Sequence, residues 1–411
     1  MIRLTKTIAL LGALDTKGNE YAYVKSRIEA KGHNTLLIDV GVLDPPTLNA
    51  DIHRETVAEA AGVPLAQLVA NRDRGEAVAA MGLGAERLLS RLYAEGTIDG
   101  VLSLGGTGGT SVACQAMRAL PIGFPKVMVS TVASSDVSSY VGVKDIVMIP
   151  SIVDISGINK ISRTVLSQAA GAICGMVEEE LPPIEDKPLI VTSMFGNTTK
   201  VVEAAKSIIE AAGYEVLVFH CTGSGGRTME SLIEAGMIEG VLDITTTEWA
   251  DELVGGVFTA GSKRLEAAAL GGIPAIVVPG CLDMVNFGVP ETVPDKFKGR
   301  RFYQHNPNVT LMRTDMEENS RLGEIIAEKL NQSKAPVSVL LPIRGLSVIG
   351  EEDGAFSWPE ADRALFHSLK LNLRPDIAVI ELDCPINELQ FAERCAEELL
   401  SNIAKKNFLN S

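Results

Sequence analysis

The sequence predicts an α/β protein of two Rossmann-like domains, each a mostly parallel sheet covered by helices, with a cleft between them. Three observations lead there. Short apolar runs alternate with helix-length amphipathic stretches along the 411 residues, the rhythm of βαβ units. The 38 glycines and the aromatic content of only 5% suit alanine- and valine-rich layers joined by glycine turns. Finally, Leu181-Pro182-Pro183-Ile184-Glu185-Asp186-Lys187-Pro188 is a linker by composition. A fresh strand–helix series begins behind it, and the chain is too long for one ordinary core. The expected domains are therefore residues 1–180 and 189–411, with residues 181–188 between them.

Charge narrows the function classes. A formal net charge of −15 without a long basic run excludes a general nucleic-acid or anionic-membrane binder, so an anionic ligand must be held locally. Cys114, Cys174, Cys221, Cys281, Cys384 and Cys395 show no C-x-x-C spacing, which predicts neither a disulfide framework nor structural zinc and places the protein in a reducing cytoplasm. Apolar residues 8–14 run straight into Asp15-Thr16-Lys17 and read as a buried strand rather than a signal peptide. No apolar run approaches the roughly 20 residues that cross a bilayer.

The first strand, residues 7–14, is apolar on both faces, as a central parallel strand is. It ends in Asp15, Thr16 and Lys17 before a helix over 21–31. A second strand over 34–40 closes on Asp39, where nucleotide folds place a ribose partner; a solvated strand end is the other reading. Asp44-Pro45-Pro46 breaks the pattern, and residues 51–96 read as helices. Among them Arg74 stands at a helix start, where its planar fork suits phosphate.

The stretch that organises the chain follows. Val101-Leu102-Ser103-Leu104 empties into Gly105, Gly106, Thr107, Gly108, Gly109 and Thr110, and a helix-compatible segment spans 111–119. Glycines let backbone approach a ligand closely, and a helix start presents unpaired N–H groups and partial positive charge. That is an anion site, most simply for phosphate. Neither a Walker loop nor G-x-G-x-x-G is present, and a tight turn without ligand is the alternative. Strands over 126–130 and 146–150 come next, the first emptying from Ser130 into Thr131 and Ser134. Such hydroxyls donate to phosphate, help hold Mg²⁺ or cap a helix. In a doubly wound strand order, the loops at Asp15 and Gly105 flank the switch point where such sheets bind ligands. Asp15 and Thr131 are the candidates near Mg²⁺, and Lys17 and Arg74 those that neutralise phosphate charge.

The second half repeats the layout. A helix over 161–180 precedes the linker; a strand over 189–192 ends in Ser193 and leads, through Thr198-Thr199-Lys200, to a helix over 201–212. A strand over 215–219 opens into His220-Cys221-Thr222-Gly223-Ser224-Gly225-Gly226-Arg227-Thr228, a second glycine loop before a helix over 229–235. Two such loops suggest two anion-binding ends or one duplicated scaffold. His220, Glu248, Asp283 and His305 are candidates for a metal or acid/base set, although residues so spread, without local ligand spacing, are more often ordinary hydrogen-bonding loop residues. Cys221 and Cys281 are nucleophiles if their thiols are activated and inert if buried.

Gly12-Ala13-Leu14-Asp15-Thr16-Lys17, Leu104-Gly105-Gly106-Thr107-Gly108-Gly109-Thr110-Ser111, Ser130-Thr131-Val132-Ala133-Ser134, Asp243-Ile244-Thr245-Thr246-Thr247-Glu248, Leu282-Asp283-Met284-Val285-Asn286-Phe287-Gly288 and Leu311-Met312-Arg313-Thr314 together carry a resemblance. The chain resembles the Tm-one-like ATP-binding domain family, typified by the amino-terminal domain of a plant tobamovirus-resistance protein. The resemblance implies ATP binding, two Rossmann-like domains and a homodimer. The expectation is thus Mg-ATP on the first domain, coupled to an unidentified small-molecule substrate in the cleft by a phosphotransferase or ligase reaction. The alternatives are a nucleotide-sensing module without turnover and a metal-dependent lyase or hydrolase of the second domain.

Overall fold

The computed structural model describes residues 5–180 and 186–410; residues 181–185 of the expected linker lie outside them. The chain divides into two compact units, Met1–Pro183 and Ile184–Ser411.

The first unit runs β1 (Thr7–Gly12), α1 (Leu14–Glu29), β2 (Asn34–Asp39), α2 (Arg54–Ala61), α3 (Leu65–Asn71), α4 (Arg74–Ala94), β3 (Gly100–Gly105), α5 (Thr107–Arg118), β4 (Lys126–Ser130), α6 (Ser138–Val141), β5 (Val147–Pro150) and α7 (Lys160–Glu178). Its five strands are all parallel, in the order β2-β1-β3-β4-β5. Alternation within each strand explains the two-faced apolarity. Ala9, Leu11, Val101 and Met128 pack with Met81 and Leu88 of α4 and Met117 of α5. Ile8, Leu10, Leu102 and Val127 pack with Val24 of α1 and Ile173 of α7 on the other face. The chain changes direction across the sheet between β1 and β3, so the switch point lies where residues 12–17 and 105–110 emerge.

The second unit runs β6 (Leu189–Met194), α8 (Thr199–Ala211), β7 (Glu215–His220), α9 (Ser224–Glu234), β8 (Gly240–Thr245), α10 (Glu248–Val254), α11 (Glu266–Gly271), β9 (Ala275–Gly280), β10 (Met284–Phe287), β11 (Phe302–Asn306), β12 (Val309–Arg313), α12 (Met316–Leu330), β13 (Val337–Pro342), α13 (Pro359–Asn372), β14 (Ala378–Leu382) and α14 (Leu389–Asn410). Its main sheet is parallel, ordered β14-β13-β9-β8-β6-β7, and repeats the first unit's switch between β6 and β8.

Two sequence expectations need correction. Three helices begin earlier than apolar spacing predicts: α1 at Leu14, α5 at Thr107 and α9 at Ser224. The first turns of α5 and α9 are dominated by glycine and polar residues at the sheet's ligand edge, where no apolar stripe is required, while α1 starts on the buried Leu14 and carries a non-helical Lys17 (φ −129°, ψ 19°) that separates its first turn from the rest. The antiparallel sheet β10-β12-β11 was not expected at all. Strand β11 is exposed along its whole length, so no alternation marks it. Among the described residues no helix is long and apolar enough to cross a membrane.

Candidate functional site

The junction after β3 is open. Gly106 caps α5 with ordinary extended backbone (φ −78°, ψ −164°) and contributes no side-chain hydrogen bond, leaving the first-turn amides uncapped. Each glycine has its own reason. A side chain at Gly105 would place Cβ 2.9 Å from the Gly109 Cα, whereas at Gly106 the nearest atom is Thr131 Oγ1 at 3.8 Å. A Cβ at Gly108 would lie 3.5 Å from a guanidinium nitrogen of Arg74. The start of α4, capped by Asp73 Oδ1 accepting from Gly75 and Glu76, thus brings Arg74 beside the first turn of α5.

Thr110 and Ser130 tie the junction together. Thr110 Oγ1 donates to the Gly106 carbonyl at 2.8 Å and shares a hydrogen bond with Ser130 Oγ at 2.7 Å, while Thr131 N–H donates to Gly105 at 3.2 Å. Thr107, Thr131 and Ser134 face solvent. The other candidates are drawn into the fold. Asp39 is buried and its Oδ1 accepts from the amides of Leu14 (3.1 Å) and Gly41 (2.8 Å), so it caps α1 from a neighbouring strand end. Burial raises its carboxyl above the usual range against those two amides. Asp15 Oδ2 accepts from Leu43 N–H at 2.9 Å, with Oδ1 unpartnered. Lys17 Nζ donates to the Ile155 carbonyl at 2.7 Å, and Thr16 is exposed.

The second glycine loop is already filled. Glu248, at the start of α10, accepts through Oε1 from Gly223 N–H (2.8 Å) and Gly226 N–H (3.1 Å), and through Oε2 from Arg264 Nε (2.8 Å). Arg264 is itself buried and bonds Asp243 and Glu230. Nothing in the local pattern around Arg264 announces its role, because it acts on partners 16 to 34 residues away in sequence.

The expected acid/base or metal set does not assemble. His220 is exposed and lies against Phe195 (ring centroids 5.4 Å apart); His305 is exposed on β11. Glu248 is committed to α9, and Asp283 is buried with Oδ2 accepting from Ser347 Oγ at 2.6 Å. Burial raises the Asp283 carboxyl, partly opposed by the Arg313 charge. Among the described residues no three His, Cys, Asp or Glu side chains are placed to hold a metal ion. The thiols of Cys221 and Cys281 are fully buried, and burial pushes both well above their ordinary range, the condition of inert cysteines.

Residues 6–182 match the N-terminal domain, and residues 187–403 the C-terminal domain, described as Uncharacterised protein family (UPF0261). A UPF0261 protein of Clostridium tetani is 50% identical over 404 residues, which is 98% of this chain and 100% of that protein. The ToMV susceptible protein tm-1 of Solanum lycopersicum is 44% identical over 337 residues, 80% of this chain but 44% of the plant protein. Among solved structures, UDP-N-acetylglucosamine 2-epimerase from Rickettsia bellii aligns over 98% of both chains at 10% identity with a TM-score of 0.23.

Proposed function

The chain belongs to the uncharacterised protein family UPF0261, and on that premise we propose that its first unit binds ATP with Mg²⁺, phosphates seated on the backbone of Gly106 to Gly109. One observation carries this reading. Arg74, a guanidinium with no hydrogen-bond or ion-pair partner among the described residues, stands beside the uncapped first turn of α5 at Gly108. Two sources of positive charge thereby face one spot from different elements. Thr131, exposed with its hydroxyl beside Gly106, is the candidate for contact with phosphate or its Mg²⁺. Lys17 Nζ is held by the Ile155 carbonyl, which leaves Arg74 as the charge that neutralises phosphate.

The test is calorimetric. Gly106→Val sets a Cβ in ordinary contact with Thr131, 3.8 Å from its hydroxyl, and carries a branched side chain over the backbone surface, so it obstructs that surface with little strain on the fold. Loss of Mg-ATP binding by a folded variant is the expected result; wild-type affinity in that variant overturns the proposal. The use of the bound nucleotide is read separately. A phosphotransferase or ligase consumes ATP only with its small-molecule substrate, whereas a sensing module holds it unchanged and alters the homodimer, which light scattering with and without ATP detects.

A further inference from the structure

The amino-terminal turn of α9 meets three separate donors in one place: two backbone amides and the Nε of Arg264, all aimed at a carboxylate. The backbone is shaped for that approach. Gly223 adopts a left-handed φ of +82°, and a Cβ there would lie 2.5 Å from the Thr259 carbonyl. A Cβ at Gly226 would lie 2.0 Å from Glu248 Oε2, so any side chain would occupy the space of the anion itself. Glu248 is 1% exposed and Arg264 likewise 1%, which removes water as a competitor.

We infer that the Gly223–Gly226 turn and Arg264 form a complete carboxylate-binding site whose occupant is the chain's own Glu248. The ligand class follows from charge and shape. Arg264 already serves Asp243, with Nη2 to Oδ1 at 2.7 Å, and Glu230, with Nη1 to Oε1 at 3.1 Å. Apart from Glu248 itself, two carboxylates share the guanidinium, so a phosphate dianion is repelled more strongly than a planar monoanion with two oxygens. Because Glu248 opens α10, its seat also fixes the start of that helix directly behind Thr246 and Thr247, both buried at the end of β8. The second unit thus closes with an internal side chain the kind of junction that the first unit leaves open. This inference is independent of nucleotide binding.

Chemical rescue tests it. Glu248→Ala removes the internal ligand and leaves the donors; sodium formate is the probe, with equal sodium chloride as the ionic control. The thermal midpoint of Glu248→Ala is expected to fall below wild type and to rise by about 3–5 °C when formate reaches roughly ten times its Kd. Wild type and Glu248→Gln, whose pockets are filled, should respond to formate no more than to chloride, and phosphate should rescue less than formate. If Glu248→Ala is recovered only unfolded, its refolding yield in formate against chloride gives the same reading. A variant that answers formate and chloride alike, or refolds in neither, overturns the inference.

Discussion

The phenolic oxygen of Tyr21 accepts the Leu104 amide proton at 2.8 Å and donates to the Leu11 carbonyl at 2.5 Å. It joins β1 to β3 where their own ladder stops, after Leu11 and Ser103. At a switch point two neighbouring strands send their chains to opposite faces of the sheet, and their last backbone groups lose each other. Tyr21 supplies the missing partner from α1. Gly12 makes room for it: a Cβ there would lie 1.9 Å from the Tyr21 ring.

Tyr21→Phe keeps the ring and removes that bridge, leaving the buried Leu104 amide unpaired while the Leu11 carbonyl keeps the Ser103 hydroxyl. The expected loss is about 1–3 kcal/mol, read as a lower denaturation midpoint with an unchanged slope. A variant as stable as wild type would show that the bridge contributes nothing.

Gly105 and Gly106 should separate stability from binding. Gly105→Ala forces a methyl to within 3.0 Å of two Gly109 backbone atoms and should cost about 1–3 kcal/mol. Gly106→Val should alter stability by less than about 1 kcal/mol. Thermal melts of the two variants side by side decide; equal destabilisation would mean that the junction does not tolerate a side chain at either position.

Arg74→Met should weaken Mg-ATP by about 10–100-fold, the worth of a charge-assisted hydrogen bond, and leave adenosine binding and stability unchanged. Titration with both ligands is the measurement. A parallel loss for adenosine would place Arg74 away from the phosphates.

Asp251 in the second unit is a buried acid whose Oδ1 accepts from Asn286 N–H at 2.7 Å and whose Oδ2 accepts from Phe258 N–H at 2.8 Å. Burial raises its pKa from the ordinary 3.8 to about 7 despite those amides. The folded state then holds a proton that the unfolded chain releases, so this group's contribution is most favourable below pH 3.8 and declines as pH rises to about 7. The decline is on the order of 4 kcal/mol over that window. Asp251→Asn removes the titration: denaturation of the variant between pH 4.5 and 7.5 should show a flatter pH dependence than wild type, whatever its absolute stability. Identical slopes would count against a raised Asp251.

The sequence by itself determined the alternation of strands and helices, the two-faced burial of β1, and the glycine junction at Gly105. Those are local properties: periodicity, turn chemistry and composition act within a few residues and can be read there. Arg74 was legible too, as an arginine at a helix start, though its neighbour Gly108 was not. Tertiary structure decided the rest. Asp39, a ribose candidate by spacing, became the cap of α1; Glu248, an acid/base candidate, became the anion of α9; the exposed strand β11 left no pattern at all. For the buried polar groups a deciding partner lies far along the chain: 83 residues separate Tyr21 from Leu104, 25 Asp39 from Leu14 and 22 Glu248 from Gly226. Which buried polar group meets which donor is settled only when packed layers bring them together, because burial makes an unpaired group too costly to leave.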